Sequence, residues 1–252
     1  MAELLFPPKC VGCGERLEIF DNNPGAFCDN CRADWETDKH SACPTCRVAA
    51  NECTCAPSTL DKKYIHCISL VKFGRTECVD RLIYSIKKRR LARSFDFAAV
   101  ELAERLDAFR KTSDLDLADA IVTNVPRKST SIVEHGFDHA QILARMTAEK
   151  SGYKYESLIR RVRGGKDQKK LTFKERGKNV KGSFELSLVG DHCPTTVILV
   201  DDVVTTGNTA NECIKSLRGS GVKNVVLLSI ARASEQKKAK RRRIRSKKSK
   251  KD

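Results

Sequence analysis

Two adjacent carboxylates, followed by a turn of small polar residues, are the part of this sequence best suited to chemistry. An apolar segment, Val197–Val200, leads directly into Asp201 and Asp202, and the stretch Thr205–Thr209 then precedes a helical pattern. Backbone N–H groups and hydroxyls at the start of a helix are well placed to bind a phosphate, and Gly207 lets the backbone approach closely. The two carboxylates can accept hydrogen bonds from vicinal hydroxyls, as on a ribose. The stretch therefore predicts a sugar-phosphate site.

The other common phosphate-binding patterns do not match this stretch. A Rossmann site has the pattern G-x-G-x-x-G, and a P-loop requires a lysine after glycine. The plainer interpretation is an ordinary strand, turn and helix with a capping threonine. Under that interpretation two adjacent acids lie beside a core without a ligand or metal to pair with them, and unpaired charges there cost free energy. We therefore favour a ligand site at Asp201 and Asp202.

Eight of the twelve cysteines lie between Cys10 and Cys55, mostly as close pairs. A C-x-x-C pair brings two thiolates from one tight turn to a single metal ion, and two such pairs complete a tetrahedral zinc site with no position open for catalysis. We therefore expect structural zinc. One ion or two, and which pairs share an ion, stay open because the pairs could interleave. The predicted ligands are Cys10, Cys13, Cys28, Cys31, Cys43, Cys46, Cys53 and Cys55.

Alternative interpretations of the cysteine-rich segment are weaker. His40 could replace a cysteine as a ligand, and we leave it out of the predicted set. A redox role for C-x-x-C needs a thioredoxin-like βαβ context, which the sequence around these cysteines does not have. The four scattered cysteines, Cys67, Cys78, Cys193 and Cys213, are interpreted as small apolar residues.

Strand-like and helix-like patterns alternate between residues 61 and 234, which is typical of an α/β fold with a mostly parallel sheet flanked by helices. The predicted strands are Tyr64–Val71, Ala120–Val125, Leu158–Val162, Thr196–Val200 and Val225–Ala231. The predicted helices are Cys78–Lys88, Phe95–Phe109, Asp138–Lys150 and Thr209–Gly219. Residues 1–60 show little periodic pattern and too little apolar surface to fold without metal. We expect a small N-terminal zinc module at 1–60, an α/β domain at 61–234 and a disordered basic tail at 235–252.

The chain is strongly basic, with a formal net charge of +16. The last eighteen residues contain eleven Lys or Arg against two acids, or +9, which leaves +7 for the rest. Such an excess favours polyanionic partners: nucleic acid, phosphorylated metabolites or anionic lipid. Because no apolar segment has the length of a transmembrane helix and no signal-peptide pattern is present, we expect a cytoplasmic protein that does not insert into membranes.

The stretch Val197–Thr209 resembles the phosphoribosyl pyrophosphate (PRPP) binding motif of type I phosphoribosyltransferases, in which two acids precede a Thr-Thr-Gly-x-Thr loop. Over about residues 4–234 the chain is similar to one branch, the ComF family, which is linked to DNA uptake in competence. The further matching motifs are Leu5-Phe6-Pro7, Val125-Pro126, Gly136-Phe137, Gln168-x-x-Leu171-Thr172, Glu175-Arg176, Asn179-Val180 and Gly182-x-Phe184. The chain departs from the family at position 135, where His135 replaces the usual arginine, and at Asp138, which replaces asparagine.

The resemblance implies a type I phosphoribosyltransferase-like fold behind a double zinc ribbon, with PRPP as ligand and Mg²⁺ bound together with PRPP. Asp201 and Asp202 would hold the ribose hydroxyls. Arg127 and Lys128 would contribute to the pyrophosphate loop after the second strand, for which a solvated turn is the plain alternative. The residues expected to hold the 5′-phosphate are Thr205, Thr206, Gly207, Asn208 and Thr209.

The resemblance also implies a mobile flap at Gln168–Phe184 that closes over pyrophosphate and excludes water. Arg176 is the expected contact, and with Asp201 and Asp202 it forms the expected catalytic set. A merely solvated basic helix is the alternative interpretation of the flap.

Two functions stay open at this point. The first is a transferase that moves the phosphoribosyl group to a nitrogen nucleophile and releases pyrophosphate. The second is a non-catalytic PRPP sensor, or an adaptor that binds single-stranded DNA or RNA and works with DNA-uptake or recombination proteins. No part of the sequence identifies the acceptor base or amine.

Overall fold

The computed structural model describes residues 7–17, 25–60, 63–73, 76–162, 184–187 and 193–233. The helices in these ranges are α1 (Asp29–Lys39), α2 (Glu77–Lys88), α3 (Ala92–Thr112), α4 (Ser129–His135), α5 (His139–Ser151) and α6 (Asn208–Gly219). The strands are β1 (Ile65–Phe73), β2 (Ile121–Asn124), β3 (Lys154–Tyr155), β4 (Ile159–Arg161), β5 (Phe184–Leu186), β6 (Thr196–Val204) and β7 (Asn224–Ala233).

Five of the strands form one sheet in the order β1-β7-β6-β2-β3, and every neighbouring pair is parallel. The two long central strands, β6 and β7, are apolar almost throughout because helices cover both faces of a parallel sheet. This sheet, its flanking helices and the N-terminal Cys-rich module confirm the predicted fold class.

The alternation of side chains along β6 assigns its residues to two separate cores. Ile198 and Val200 pack with α2, α3 and α5 on one face. Val197 and Leu199 pack on the other face, against α6 and the short strands β4 and β5. Strand β6 is therefore fixed from both sides, and this fixes the position of the residues that follow Val200.

Strand β6 is longer than the sequence predicts, and this places the acid pair inside it. The predicted strand ends at Val200, whereas the ladder to β7 continues through Asp201–Ser229 to Val204–Arg232. On its other side β6 loses its partner at Val200, because β2 ends at Asn124. Asp201 and Asp202 thus lie in a strand that is paired on one side and open on the other.

The predicted strand Leu158–Val162 belongs to a different structure from the main sheet. The middle of this predicted strand forms β4, which pairs antiparallel with β5, and Ile159 lies opposite Leu186. The hairpin packs on α6, where the Ser216 hydroxyl donates to the Phe184 carbonyl at 3.0 Å. The predicted flap between these strands, Gln168–Phe184, lies outside the described residues except for Phe184.

The first half of the zinc module packs on α3 instead of standing alone. Trp35 of α1 and Phe27 are almost fully buried, and both make tilted or edge-on contacts with Phe97. Glu101, which is 3% exposed, accepts from Lys39 at 2.7 Å and pairs with Arg32 at 3.0 Å. The sequence did not predict α1, because its apolar residues are few and find their partners on another helix. The boundary at residue 60 stays a prediction.

None of the helices in the described ranges combines the length and the hydropathy needed to cross a bilayer. The predicted cytoplasmic location stays a prediction. The basic tail at 235–252 lies outside the described residues.

Candidate functional site

The candidate site lies in the crevice between the carboxyl ends of β2 and β6. From β2 the chain passes through α5 to β3 on one side, and from β6 it passes through α6 to β7 on the other. Helices α5 and α6 contribute to opposite cores. The connections therefore diverge at this point, and in open α/β sheets ligands bind at such a switch point.

The loop after β6 has the geometry of an anion site. Gly207 adopts the left-handed conformation, φ +76°, and serves as the N-cap of α6. Asn208 N–H donates to the Thr206 hydroxyl at 3.4 Å, while Thr205 is exposed. In the described part of the chain no acceptor is found for the N–H groups of Thr205, Thr206 and Gly207. These donors lie at the positive end of the α6 dipole, where an anion is favoured, although Gly207 itself is buried.

Asp202 is the buried centre of a charged cluster. It is 2% exposed, and its Oδ2 accepts from Arg127 Nη2 at 2.8 Å and from His139 Nε2 at 2.7 Å. Lys87 Nζ lies 3.3 Å from the same oxygen, and Oδ1 accepts from Val203 N–H at 2.6 Å. Burial by itself would raise the pKa of Asp202, but Arg127, Lys87 and His139 outweigh it and hold that pKa well below its usual range.

Asp201 has the opposite electrostatics. Burial and then the neighbouring Asp202 charge raise the pKa of the Asp201 carboxyl to about 7. Its Oδ1 accepts from the Asp202 N–H at 2.9 Å, and the side chain is only partly covered. Two adjacent acids thus have different properties: Asp202 is a permanent anion that positions cations, and Asp201 is an accessible carboxyl that ionises near neutral pH.

Lys87 and His139 are members of this cluster that sequence analysis missed. Lys87 lies in the last turn of the amphipathic helix α2. Nothing in the local sequence distinguishes it from a solvated lysine. His139 begins α5 directly after its N-cap, Asp138, whose carboxylate accepts from the N–H groups of Ala140 and Gln141. Burial lowers the pKa of His139, so its hydrogen bond to Asp202 comes from a neutral ring.

The remaining predicted residues of the pyrophosphate loop differ in placement. Arg127 lies in the cluster, and its Nε is buried without a hydrogen-bond partner among the described residues. Lys128 lies at the start of the next helix, as the N-cap of α4. His135, which replaces the family's arginine, contacts Lys88 Nζ at 2.8 Å. Arg176 lies outside the described residues.

The eight predicted zinc ligands form two separate groups, which resolves the pairing. The sulfurs of Cys10, Cys13, Cys28 and Cys31 lie within 4.8 Å of one another, and so do those of Cys43, Cys46, Cys53 and Cys55. Close pairs in the two groups are 3.6 and 3.5 Å apart, near the roughly 3.8 Å edge of a tetrahedron with Zn–S bonds of about 2.3 Å. The donor sets fit structural zinc. His40 belongs to neither group.

The two groups share a knuckle turn with one difference. After each C-x-x-C a residue adopts a left-handed backbone: Gly14 with φ +85° in the first group and Arg47 with φ +66° in the second. Its N–H donates back to the first cysteine's carbonyl, at 2.9 Å in both turns. This conformation is less favourable for arginine than for glycine, so the second turn is the less relaxed of the two.

We expect about two zinc ions per chain, and Cys31→Ser should leave about one. Cys31 is a buried member of the first group and belongs to the same core as Phe27 and Trp35, so opening this site also loosens that packing and lowers the melting temperature. Elemental analysis and thermal melts of chelator-free protein measure both effects. Cys193→Ser, which removes a half-buried cysteine outside both groups, is the matched control. Two zinc ions retained in Cys31→Ser would show that the first group is not a metal site.

Comparison with known proteins finds similarity to proteins named for competence and DNA utilization. The family model of the double zinc ribbon domain matches residues 1–58. Competence protein F of Haemophilus influenzae is 32% identical over 126 residues, which cover 49% of this chain and 55% of that protein. The DNA utilization protein YhgH of Salmonella typhimurium is 31% identical over 60% of this chain and 66% of its own length. These two alignments thus span less than two thirds of either relative.

The alignment with YhgH of Escherichia coli strain K12 is longer, with 27% identity over 91% of this chain and 99% of that protein. The structure defines the class of the protein: a parallel α/β domain behind a double zinc ribbon. An acid pair and a small-residue loop lie at the switch point of its sheet. The chain is similar to proteins named competence protein F and DNA utilization protein YhgH.

Solved phosphoribosyltransferases are more distant. A hypoxanthine phosphoribosyltransferase from Staphylococcus aureus is 11% identical, with a TM-score of 0.33 over 54% of this chain and 64% of that chain. The glutamine PRPP amidotransferase of B. subtilis is 19% identical, with a TM-score of 0.34 over 54% of this chain and 26% of that chain. Likeness at this level carries no weight for the function of the chain.

Proposed function

We propose that the crevice between β2 and β6 binds PRPP. The observation that carries the proposal is the adjacency of a partly covered carboxyl, Asp201, to a loop at the start of α6 whose N–H groups have no acceptor among the described residues. In this arrangement the 5′-phosphate contacts Thr205–Thr209 and the ribose hydroxyls donate to Asp201. The pyrophosphate lies toward Arg127 and Lys87, where positive charge is already gathered.

Asp202 has a second function in this proposal, because its carboxylate already accepts from three basic side chains. It holds Arg127 and Lys87 at the mouth of the crevice in the absence of ligand. A ribose hydroxyl that reaches Asp202 shares its oxygens with these cations. The buried Nε of Arg127, which has no partner among the described residues, is a donor available to an oxygen of pyrophosphate.

The proposed reaction is displacement at C1′ of PRPP by a nitrogen nucleophile. The C1′–N bond forms as the C1′–O bond breaks, pyrophosphate leaves with the bonding electron pair, and the nitrogen loses a proton to solvent. Mg²⁺ bound with PRPP would supply positive charge for the leaving group, and Asp201 is a residue that would help to hold it. Arg127 and Lys87 stabilise the same developing charge. Arg176 is proposed to add a further contact from the flap.

Calorimetric titration with PRPP in the presence of Mg²⁺ tests binding, and a screen of nucleobases and amines for pyrophosphate release tests transfer. We expect one PRPP per chain, with no comparable heat from ribose 5-phosphate, because the pyrophosphate contacts are lost. Release of pyrophosphate with one acceptor would show that the protein is an enzyme and would identify that acceptor as its substrate. Binding without release from any acceptor favours a PRPP sensor. Absence of PRPP binding to zinc-loaded protein would refute the proposed site.

A nucleic-acid adaptor is the second candidate. Two observations favour it: the relatives are named for competence and DNA utilization, and the tail at 235–252 carries +9. Single-stranded DNA or RNA is the proposed partner, together with DNA-uptake or recombination proteins. This function is compatible with PRPP binding, because the tail and the crevice are separate parts of the chain.

A further inference from the structure

The second cysteine group (Cys43, Cys46, Cys53 and Cys55) lies against the carboxyl edge of the main sheet. Arg232 Nη2 of β7 donates to Cys53 Sγ at 3.1 Å, and Lys72 Nζ of β1 lies 3.7 Å from the same sulfur. Both cations are buried, at 7% and 4% exposure. A zinc ion with four thiolates carries a net charge of −2, which these two cations balance. The metal site is therefore attached to the end of the sheet from which the phosphate loop also emerges.

The chain runs from this group directly to the phosphate loop. After Cys55 it turns through Pro57–Leu60, where Leu60 N–H donates to the Pro57 carbonyl at 3.0 Å. Pro57 and Leu60 are buried, and Leu60 packs in the same core as Ala210 of α6. The Thr59 hydroxyl donates to the Thr206 carbonyl at 2.5 Å.

Gly207 shows how closely the two segments approach. A Cβ at Gly207 would lie 2.8 Å from Thr59 Oγ1 and 3.3 Å from both Leu60 and Pro57 side-chain carbons. Only glycine leaves room for this contact, and its φ of +76° excludes most other residues independently. The phosphate loop is thus packed on the segment that leaves the second cysteine group.

The hydrogen bond from Thr59 determines the direction of a backbone donor. In a trans peptide the carbonyl and the N–H point to opposite sides, so the bond that holds Thr206 C=O toward Thr59 directs Gly207 N–H away from it. Gly207 N–H is one of the donors proposed to bind the 5′-phosphate. Without Thr59 the peptide between Thr206 and Gly207 can rotate, because glycine tolerates both orientations.

We propose that the second zinc site is an anchor for the phosphate loop, and that Thr59 is the positioning residue through which it acts. Zinc at Cys43, Cys46, Cys53 and Cys55 fixes the segment Pro57–Leu60, and this segment holds the loop in its anion-binding conformation. This inference rests on the proposed PRPP site. Zinc occupancy and PRPP affinity are then thermodynamically coupled, so PRPP strengthens zinc binding at the second site by the same factor by which zinc strengthens PRPP binding. We expect the tighter binding to appear as slower loss of zinc from this site.

The first experiment compares Thr59→Val and Thr59→Ser in the full, zinc-loaded chain. Valine keeps the shape of threonine and removes the donor, so PRPP affinity should fall about two- to tenfold, the value of one net hydrogen bond. Serine keeps the donor and should bind within about twofold of wild type. Thr37→Val, on the exposed face of α1, is the matched control and should bind as wild type. Equal affinity for wild type and Thr59→Val would overturn the positioning role.

The second experiment follows zinc transfer to a chromogenic chelator with and without PRPP and Mg²⁺. Cys46→Ser removes one kinetic phase and so identifies the phase of the second site. Saturating PRPP should slow that phase severalfold and leave the phase of the first site unchanged. Equal slowing of both phases, or no slowing of either, would overturn the coupling.

Hydrogen exchange of the loop separates failure of this inference from failure of the proposed function. Peptides covering residues 203–210 should exchange faster in Thr59→Val and in Cys46→Ser, but not in Cys13→Ser, which affects only the first site. If wild type does not bind PRPP and this pattern is still observed, the PRPP site is wrong and the anchor holds. If PRPP binds and loop exchange is the same in all variants, the anchor is wrong and the PRPP site holds.

Discussion

The double variant Asp201→Asn/Asp202→Asn should bind PRPP at least about a hundredfold more weakly than wild type, with the fold intact. Each charge-assisted hydrogen bond contributes about 1.5–3 kcal/mol, so two lost acceptors account for this factor. Calorimetry with Mg²⁺ present measures the affinity, and circular dichroism checks the fold. Asp119→Asn, at an exposed acid before β2, is the control for loss of a carboxylate outside the site and should bind normally. Wild-type affinity in the double variant would show that PRPP binds elsewhere.

The two single variants should differ in stability, because the two acids have different surroundings. Asp202→Asn leaves Arg127 and Lys87 without their shared anion, so it should lower stability as well as affinity. Asp201→Asn removes a carboxyl whose ionisation is opposed by burial and by Asp202. It should therefore lose affinity for PRPP without a loss of stability at pH 8. Similar melting temperatures of the two single variants would contradict this division of roles.

Asp201 and Asp202 should also affect the pH dependence of stability differently. Between the ordinary carboxyl pKa of 3.8 and the raised pKa of about 7, folded Asp201 retains a proton that the unfolded chain has lost. Its contribution to stability is therefore lost as the pH rises through this range. Asp202, whose pKa is lowered, contributes fully above pH 4 and adds no slope there. Wild type should lose more stability than Asp201→Asn between pH 5 and pH 7.5.

The sequence was most informative where one short segment carries the whole signal. Strand β6, the acid pair and the small-residue loop follow one another along the chain, so residue type and order sufficed to predict them. The same holds for each C-x-x-C pair. The division of eight cysteines into two groups needed coordinates, because spacing permits interleaved pairing and only the placement of α1 between Cys28 and Cys43 separates the groups.

Features that join distant segments could not be predicted. The Asp202 cluster takes Lys87 from α2 and His139 from α5, and neither position has a local pattern that indicates a site. Arg127, which follows β2, was predicted as a pyrophosphate-loop residue but not as a partner of Asp202. The extension of β6 past Val200 depends on its ladder with β7, which the two polar residues at its end conceal. Thr59 lies 147 positions before Thr206, and the bond between them exists only because the second cysteine group lies on the sheet edge.

Deleting residues 235–252 should greatly reduce binding of single-stranded DNA or RNA at low salt and leave PRPP affinity unchanged. The run Lys237–Lys251 has many cations and no aromatic side chain, so it contacts phosphates without stacking on or reading bases. Among the described residues the phosphate loop at Thr205–Thr209 contacts Thr59 and leads into α6, so we expect PRPP binding not to depend on the tail. Fluorescence anisotropy with oligonucleotides of several sequences measures the affinity, and a tail of equal length built from Gly and Ser is the matched control.

The salt dependence distinguishes an interacting tail from a merely solubilising one. For single strands the slope of log affinity against log salt is about −0.7 per phosphate contacted, so six contacts give a slope near −4. A rise from 50 to 200 mM salt would then weaken full-length binding roughly three hundredfold, and truncation should flatten this slope. The described domain has its own positive charge, and a weak residual affinity with a shallow slope is expected from it. If full-length and truncated proteins bind equally at 50 mM salt, the cations that recruit nucleic acid belong to the folded domain, and the adaptor function must be sought on its surface.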